Sequence, residues 1–360
     1  MPDFTKSKLA WSLTWDADWV TSVAFLGPTR RVAAGNNLGQ ILVWELPDQV
    51  GSPAPKPILR LDGHSNVVSK LAATPDGKTL LSASYDHTIR YWDGAAMAAP
   101  SETIPLNAAA IAALKGRSSK IPAMLEAKVG IVKPSRTLDA HREWVINLDL
   151  ARDGTTFVSG DDAGQVIVWD REKAAIRKQW KVKGWAYAVG LSPDKKQACV
   201  SERYPVVFDS ARHAGVKLWN AETGELIRDI GEPFKKVYLS AAAYSPDGKL
   251  LALGRGGETE TAKVALLDPG SGKLLADLTP GHLNGITDLA FHPDGKHLAS
   301  TGRDTVVRIW NTESKKLVAE VGKPRGGQFK DWLHALSWSA DGKWLAAADM
   351  AGAVQIWNFA

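Results

Sequence analysis

The chain contains a single cysteine, Cys199, among its 360 residues, and this excludes an intrachain disulfide. It also lacks any apolar run close to the roughly 18 residues that a membrane-spanning helix requires. The first residues, Met1 to Lys8, include no apolar stretch of the kind found in secretory signal peptides. We therefore expect a reduced, cytoplasmic environment and no membrane partner.

Motifs that carry common chemistry are also missing. The sequence has no metal-ligand spacing, no phosphate-binding loop, no EF-hand loop and no Gly-x-Ser-x-Gly nucleophile elbow. Its glycine-rich stretch at 254–257 lacks the lysine and the following helix that a phosphate loop needs. We accordingly expect a protein that is not an enzyme and that holds neither a metal nor a cofactor.

Charge of one sign is not concentrated either. There are 44 basic and 39 acidic residues, so the net charge is +5, spread over the whole length. A dispersed charge of this size does not predict nucleic-acid binding. The most basic stretch, 171–183, alternates charged with apolar residues and is typical of the solvated face of an outer β-strand.

What the chain does have is a repeated unit. A histidine precedes a tryptophan by 28 residues in three places: His64 and Trp92, His141 and Trp169, His282 and Trp310. Short alternating apolar runs surround these markers, and Pro-Asp turns separate them. Seven units result, whose third strands end at Trp44, Trp92, Trp169, Trp219, Leu267, Trp310 and Trp357.

The recurrence of Gly-His, Ser-x-x-x-Asp and Trp-Asp, as in Gly63-His64 through Trp92-Asp93, resembles the WD40-repeat β-propeller family. The resemblance covers nearly the whole chain except about 94–134. It implies an all-β, seven-bladed propeller with four-stranded antiparallel blades around a central channel, formed as one domain by residues 1–360. We expect the spare apolar segment Leu9–Leu13 to supply the outer strand of the last blade and close the ring.

The resemblance also implies a hydrogen-bonded structural tetrad of His, Ser, Asp and Trp within a blade. It is complete in two units: His64, Ser82, Asp86 and Trp92, and His282, Ser300, Asp304 and Trp310. The third unit has Ala163 where the aspartate belongs, so we expect His141 to lack a partner. We interpret these residues as structural rather than as a catalytic triad.

A large aromatic residue recurs at the start of the innermost strand. Five of the seven equivalent positions carry one, whereas Val67 and Gly285 interrupt the series: Trp19, Trp144, Trp185, Tyr238 and Trp332. Two residues later, Tyr187 and His334 share the same orientation. These rings either cover loop backbone and blade seams or bind a partner at the mouth of the channel.

Units four and five carry extra loop material, at 203–213 and 255–261, between their second and third strands. Such additions project from the same face as the aromatic residues, although tolerated loop growth could also produce them. Our candidate partner-binding residues are Trp185, Tyr187, Tyr204, Arg212 and Tyr238, with Trp144 beside them and Trp19, Trp332 and His334 around the mouth.

These features predict a monomeric scaffold that binds other proteins around blades 4 and 5. The alternative is a module that recognises a peptide or a small ligand at the aromatic mouth.

An insertion of about 30 residues at about 94–135 separates the second and third units. Its Ala-rich part predicts a helix over 105–115 with Asn107 as N-cap, and a second short helix over 122–128. We expect the insertion to lie on the outer rim or on the face opposite the aromatic residues. It either packs back on the propeller or docks a partner.

Overall fold

Seven β-sheets are arranged as the blades of a propeller around a central channel. The computed structural model describes residues 3–15, 19–100, 102–105, 128–204, 215–234, 237, 239–256, 262–323 and 332–359. Alternating apolar residues form each strand because one face of every sheet packs against the next blade. The predicted fold class is confirmed.

The strands are numbered in chain order, and each blade is given from its innermost strand outward. Blade 1 has β2 (Val20–Phe25), β3 (Arg31–Asn36), β4 (Ile41–Glu45) and β5 (Pro57–Leu61), then β10 (Lys128–Val132) and β9 (Glu102–Pro105). Blade 2 has β6 (Val68–Ala73), β7 (Thr79–Ser84), β8 (Ile89–Asp93) and β11 (Arg136–Leu138). Blade 3 has β12 (Val145–Leu150), β13 (Thr156–Asp161), β14 (Gln165–Asp170) and β15 (Ala175–Lys181).

The remaining blades follow the same plan. Blade 4 has β16 (Trp185–Leu191), β17 (Gln197–Arg203), β18 (Val216–Asn220) and β19 (Leu226–Asp229). Blade 5 has β20 (Leu239–Tyr244), β21 (Leu251–Arg255), β22 (Ala262–Leu267) and β23 (Leu274–His282). Blade 6 has β24 (Ile286–Phe291), β25 (His297–Gly302), β26 (Val306–Asn311) and β27 (Lys316–Gly322). Blade 7 has β28 (Leu333–Trp338), β29 (Trp344–Asp349), β30 (Ala353–Asn358) and β1 (Lys8–Thr14).

The core lies between neighbouring blades rather than at the centre of the ring. Between blades 1 and 2, for example, Ile41 and Val43 pack with Val68, Leu80 and Trp92, and all five are buried. Each such aliphatic side chain contributes about 1.5–3 kcal/mol when it leaves water. Every blade therefore depends on its two neighbours, and the ring must close to bury the last seam.

The ring closes through the N-terminal strand, as predicted. Strand β1 pairs antiparallel with β30, and Trp11 lies opposite Ile356 in the register. The Trp11 ring stacks on Trp344 with centroids 5.4 Å apart, and Phe4 packs against Phe359 at 5.5 Å. This pairing removes the free edge that the last blade would otherwise present.

The insertion after blade 2 is described only at its two ends. Its first described part is a single short helix, α1 (Gly94–Ala98), capped by the Asp93 carboxylate. Strands β9 and β10 then pair antiparallel, and β10 runs parallel to β5 at the outer edge of blade 1. Blade 1 consequently has six strands instead of the predicted four. The predicted helices lie outside the described residues except at Pro105 and Lys128, which belong to strands.

The outer surface of blade 3 has the character expected from its basic stretch. Strand β15 is the outermost strand of that blade, and its residues are exposed or half-buried. Within the described ranges, no helix has the length and apolar character needed to cross a membrane.

Candidate functional site

The upper face of the propeller is the one that carries the starts of the innermost strands and the turns between second and third strands. The Pro-Asp turns lie on the opposite, lower face. Three blades carry hydrogen-bonded tetrads near the upper face. In blade 2, His64 Nδ1 lies 2.8 Å from Asp86 Oδ2, and His64 Nε2 lies 2.6 Å from Ser82 Oγ. Trp92 Nε1 donates to the same hydroxyl oxygen at 2.9 Å.

The electrostatics of this tetrad fit a structural role. Burial lowers the pKa of the His64 imidazole even though Asp86 opposes the shift. Burial acts to raise the pKa of Asp86, but the hydrogen bonds from His64 and Thr88 outweigh it and the pKa is lowered. A neutral imidazole beside an ionised carboxylate has all its polar atoms engaged. The blade 6 tetrad has the same contacts at 2.8 Å.

A third tetrad exists in blade 3, and the prediction that His141 lacks a partner is wrong. His141 Nδ1 lies 2.8 Å from Asp161 Oδ2, and His141 Nε2 lies 2.7 Å from Ser159 Oγ. Asp161 lies two residues before the expected position, at the end of β13. Its other oxygen accepts the backbone N–H groups of Ala163 and Gln165, so one carboxylate holds both the histidine and the turn.

A belt of side-chain hydrogen bonds joins the innermost strands around the channel. It is formed at what we term the linking position, the second residue after each aromatic position. The seven linking residues are Thr21, Ser69, Ile146, Tyr187, Ser240, Thr287 and His334. Four of the side chains donate a hydroxyl to the carbonyl of the first residue of the next inner strand: Thr21 to Val68 and Ser69 to Val145, both at 2.6 Å, Ser240 to Ile286, and Thr287 to Leu333 at 2.6 Å.

His334 also belongs to this belt. Its Nδ1 lies 3.2 Å from the Thr21 carbonyl oxygen and ties blade 7 to blade 1. The ring faces the channel mouth, yet the surrounding wall lowers the pKa of the imidazole by burial. This candidate binding residue is therefore engaged in linking the blades.

Blades 3 and 4 are the exceptions. Ile146 carries no hydrogen-bonding group, and the bulky ring of Tyr187 replaces a short hydroxyl side chain. Other side chains link these blades: Asn147 Nδ2 donates to the Tyr187 carbonyl at 3.5 Å, and Ser201 Oγ donates to the Leu239 carbonyl at 3.0 Å. At the linking position of blade 3, Ile146 therefore contributes no side-chain hydrogen bond to the belt.

A cavity of about 450 Å³ opens at the upper end of the channel, and we term it the mouth cavity. Its aromatic lining consists of five rings from four blades: Trp19, Tyr85, Tyr187, Trp332 and His334. Ile146 lies among them. Trp19 is 39% exposed, whereas Trp332 lies beneath the Arg303 guanidinium, 4.1 Å from its ring centroid.

The floor of the mouth cavity is an ion pair across the channel. Lys70 Nζ lies 3.1 Å from both carboxylate oxygens of Asp288. Below it, a second cavity of about 480 Å³ opens to the lower face. Burial raises the pKa of Asp149 in that cavity to about 6, and this carboxylate accepts the Leu191 N–H at 2.7 Å. The channel therefore holds the titratable groups Lys70, Asp149 and Asp288 in addition to His334.

The channel carboxylates serve as links between blades. Asp149 joins blade 3 to blade 4 through Leu191, and Asp288 joins blade 6 to blade 7 by accepting the Leu336 N–H at 2.9 Å. Sequence reasoning missed Lys70 and Asp288. A charged residue directly after a linking position, where other blades carry Ser, Asn or Ala, was the available signal.

The remaining candidate partner-binding residues have different surroundings in the structure. Trp144 stacks flat on Tyr85, with centroids 4.9 Å apart and planes within 3°, and stays 46% exposed. The Arg203 guanidinium lies 4.9 Å from the Tyr187 centroid and 5.7 Å from that of Trp185. The Tyr204 hydroxyl donates to Glu202 Oε2 at 3.2 Å. The last two candidates lie outside the described residues: Arg212 and Tyr238.

Within the described residues, one group of side chains could hold a metal: His292, Asp294 and His297, in the lower turn of blade 6. Their atoms already bond one another. His292 Nδ1 accepts the Asp294 N–H at 3.1 Å, and His297 Nδ1 lies 2.8 Å from Asp294 Oδ2. His292 Nε2 faces the Gly342 carbonyl at 3.0 Å. These hydrogen bonds within the turn are sufficient to explain why the three side chains lie close together.

Comparison with known proteins gives a consistent result. A family profile described as "WD40: WD domain, G-beta repeat" matches residues 55–93, 132–170, 272–311 and 325–358. The chain is 32% identical over 178 residues to the small ribosomal subunit protein RACK1y of Oryza sativa subsp. japonica. That match covers 49% of this chain and about half of the relative, 48%.

Two further relatives align over most of their length. The small ribosomal subunit protein RACK1 of Caenorhabditis elegans is 26% identical over 365 residues, covering 98% of this chain and 96% of the relative. The protein of the same name from Drosophila melanogaster is 24% identical over 346 residues, covering 94% and 93%. With four matched repeats, seven blades and relatives of this kind, the chain belongs to the WD40-repeat β-propeller family.

Proposed function

We propose that this propeller is a non-enzymatic scaffold that binds partner proteins on its upper face, centred on blades 3 and 4. The observation that carries the proposal is the change of residue type at two consecutive linking positions. Ile146 and Tyr187 place an apolar and a large aromatic side chain in the wall of the mouth cavity, where four other blades carry a short hydroxyl side chain. Local departure from a repeated structural rule is expected where a surface serves binding.

The side chains around this sector suit a protein interface. Trp144 and Tyr187 belong to the residue types that dominate interface energetics, and Ile146 adds apolar surface between them. Trp144 is already held flat by Tyr85. A ring fixed in this way loses little conformational freedom when a partner covers it. Trp185 and Tyr204 extend the same surface into blade 4.

The aromatic mouth supports a closely related second function, the recognition of a peptide segment. The mouth cavity has the volume of a small-ligand site, and aromatic rings form much of its wall. An extended segment of a partner can enter such a cavity while the partner's body covers Trp144. Protein binding and peptide recognition would then use the same interface, with the peptide in the mouth cavity and the body of the partner on the surface around it.

The relatives favour a role within larger assemblies, because several are named as small ribosomal subunit proteins. We place this chain in the cytoplasm as one domain, monomeric until it meets a partner. The described part of the insertion packs on blade 1 through β10, so the upper face takes the principal role.

Affinity capture with the whole chain tests the proposal. We expect the double variant Trp144→Ala/Tyr187→Ala to recover specific partners at least about tenfold less than the native protein, since each lost anchor costs on the order of 1–2 kcal/mol. The matched control is Leu226→Ala/Ile227→Ala, which removes two apolar side chains exposed on the outer strand of blade 4.

Partner recovery is measured by quantitative mass spectrometry, and thermal unfolding checks that both variants keep their fold. Equal recovery with the native protein and the Trp144/Tyr187 variant would remove the upper face from consideration. Loss in the control alone would move the interface to the outer rim.

A further inference from the structure

Asp162 lies beside Trp144 on the upper face, in the turn between β13 and β14. Its backbone N–H donates to the Trp144 carbonyl at 3.2 Å, so the two residues are held together. The Asp162 Oδ1 atom is buried and has no hydrogen-bond partner among the described residues. A buried carboxylate oxygen without a donor is costly, and such an atom in a native protein calls for an explanation.

The charges around Asp162 increase this cost. Burial raises the pKa of its carboxyl, and the neighbouring carboxylates of Glu143 and Asp161 raise it further. Asp161 is already committed to His141 and to its own turn. Glu143 is exposed next to Trp144. Three carboxylates, those of Glu143, Asp161 and Asp162, therefore act on one another at the corner between blades 2 and 3.

The exposed aromatic ring of Trp144 lies beside these carboxylates. One face of its indole is covered by Tyr85, and the side chain remains 46% exposed. Aromatic faces attract cations through the ring quadrupole, and indole does so most strongly. The Arg203 guanidinium, from blade 4, lies over Tyr187 and Trp185.

We propose that the partner of the upper face presents a lysine or arginine side chain to this corner, with the cation over the exposed face of the Trp144 indole and beside the half-buried Asp162 carboxylate. The inference rests on the proposed function and adds the chemistry of the partner. An apolar side chain would cover the carboxylates of this corner without compensating their charge, whereas a cation compensates it.

The test uses the whole chain and a positional-scanning library of nine-residue peptides. We expect selection of lysine or arginine at one position. A selected peptide is then compared by calorimetry with matched peptides in which that residue is norleucine or citrulline. Loss of the cation should weaken binding by about tenfold, as is usual for a charge-assisted contact beside an aromatic ring.

The variant Asp162→Asn should remove most of this discrimination, and Trp144→Leu should weaken the cationic peptide more than the norleucine peptide. The charge-matched control is Glu222→Gln, an exposed acid on the lower face of blade 4, which should leave both affinities unchanged. Because Asp162 Oδ1 has no partner to lose, we expect Asp162→Asn to keep the native unfolding temperature.

Three outcomes overturn the inference. They are failure of the library to select a cation, a citrulline peptide that binds within twofold of its arginine parent, and discrimination that survives Asp162→Asn. If these occur while the Trp144/Tyr187 variant still loses its protein partners, the upper face stands and only the chemistry of the partner is wrong. If that variant also keeps its partners, the proposed function fails as well.

Discussion

Lys70 and Asp288 meet across the channel, with Lys70 Nζ 3.1 Å from each oxygen of the Asp288 carboxylate. They come from blades 2 and 6, which are not neighbours in the ring. The ion pair separates the mouth cavity from the lower cavity, and both residues line both spaces. Asp288 also accepts the Leu336 N–H, so one carboxylate connects three blades.

Removing the cation of this pair should destabilise the ring. The Asp288 side chain is 9% exposed and that of Lys70 is 26% exposed, so Lys70→Met leaves a nearly buried carboxylate unpaired. We expect a loss of about 2–3 kcal/mol in the free energy of unfolding, and most of it should return in Lys70→Met/Asp288→Asn. Urea unfolding at pH 7 of the native protein, Lys70→Met, Asp288→Asn and the double variant gives the coupling energy of the pair. A single-variant cost below about 0.5 kcal/mol would mean that channel water screens the pair.

The fold could be predicted from spacing alone, but this pair could not. The 28-residue separation of His64 and Trp92 recurs because each blade is a local structure whose turns fix its length. Lys70 and Asp288 are 218 residues apart, and they meet only because the ring closes. Sequence shows that each lies on an inner strand. Which residues face each other across the channel depends on the number of blades and on the stagger of their strands.

The blade 3 tetrad gives a second prediction. Asp161→Ala removes the partner of His141 Nδ1 and the acceptor for the N–H groups of Ala163 and Gln165. All of this lies in a buried site, so we expect a loss of about 2–4 kcal/mol. Ala163→Ser, at the position where the repeat would carry aspartate, is the control and should change stability by less than about 0.5 kcal/mol.

Chemical denaturation of both variants measures these changes in the free energy of unfolding. If Asp161→Ala were as stable as Ala163→Ser, the histidine would have found another partner. Sequence reasoning failed here because it assigned the aspartate by counting. The carboxylate at the end of β13 reaches the same imidazole from two residues earlier, and only the shape of the following turn shows that it can.

Asp149 predicts a dependence of stability on pH. Burial raises the pKa of this carboxyl to about 6 in the folded protein, from an ordinary value of 3.8. Between about pH 4 and pH 6 the folded state therefore holds a proton that the unfolded chain has released. The contribution of Asp149 to stability falls as the pH rises through this range, and above pH 6 it is a constant penalty.

Asp149→Asn should remove that penalty while keeping an acceptor for the Leu191 N–H. We expect the variant to be more stable than the native protein by roughly 2 kcal/mol at pH 7.5, less than the full linkage value because the channel admits solvent. The difference should vanish near pH 4. Unfolding measured from pH 4 to pH 8 gives this difference curve, and a flat curve would show that Asp149 titrates normally.

The edge strands of the insertion could not be predicted from local propensity. Its Ala-rich stretch, for which we predict a helix, lies outside the described residues. The segments that flank it form β9 and β10 on the edge of blade 1. Val129 and Val132 of β10 are buried there, so tertiary contact decides the structure of this segment. A parallel partner some 70 residues distant leaves no signature within the insertion itself.

The belt makes the final prediction, which joins stability to binding. Thr21 donates its hydroxyl to the Val68 carbonyl at 2.6 Å, and the isosteric change Thr21→Val removes this link. We expect a loss of about 1–2 kcal/mol, since a buried carbonyl then loses a donor. The reverse change, Ile146→Thr, places a hydroxyl at the linking position of blade 3, where the Ala186 carbonyl is the equivalent acceptor. We expect its stability to stay within about 1 kcal/mol of native.

The two variants should separate in a binding assay. Thr21→Val leaves the blade 3–4 surface intact and should retain the partners that the native protein captures. Ile146→Thr removes apolar surface from the mouth cavity beside Tyr187 and should reduce partner recovery by about threefold to tenfold, the loss expected for roughly one buried methylene-sized group at an interface. Reduced recovery with Thr21→Val and normal recovery with Ile146→Thr would contradict the proposal. Binding would then depend on a residue that links blades 1 and 2 and not on the apolar residue that replaces a link in blade 3.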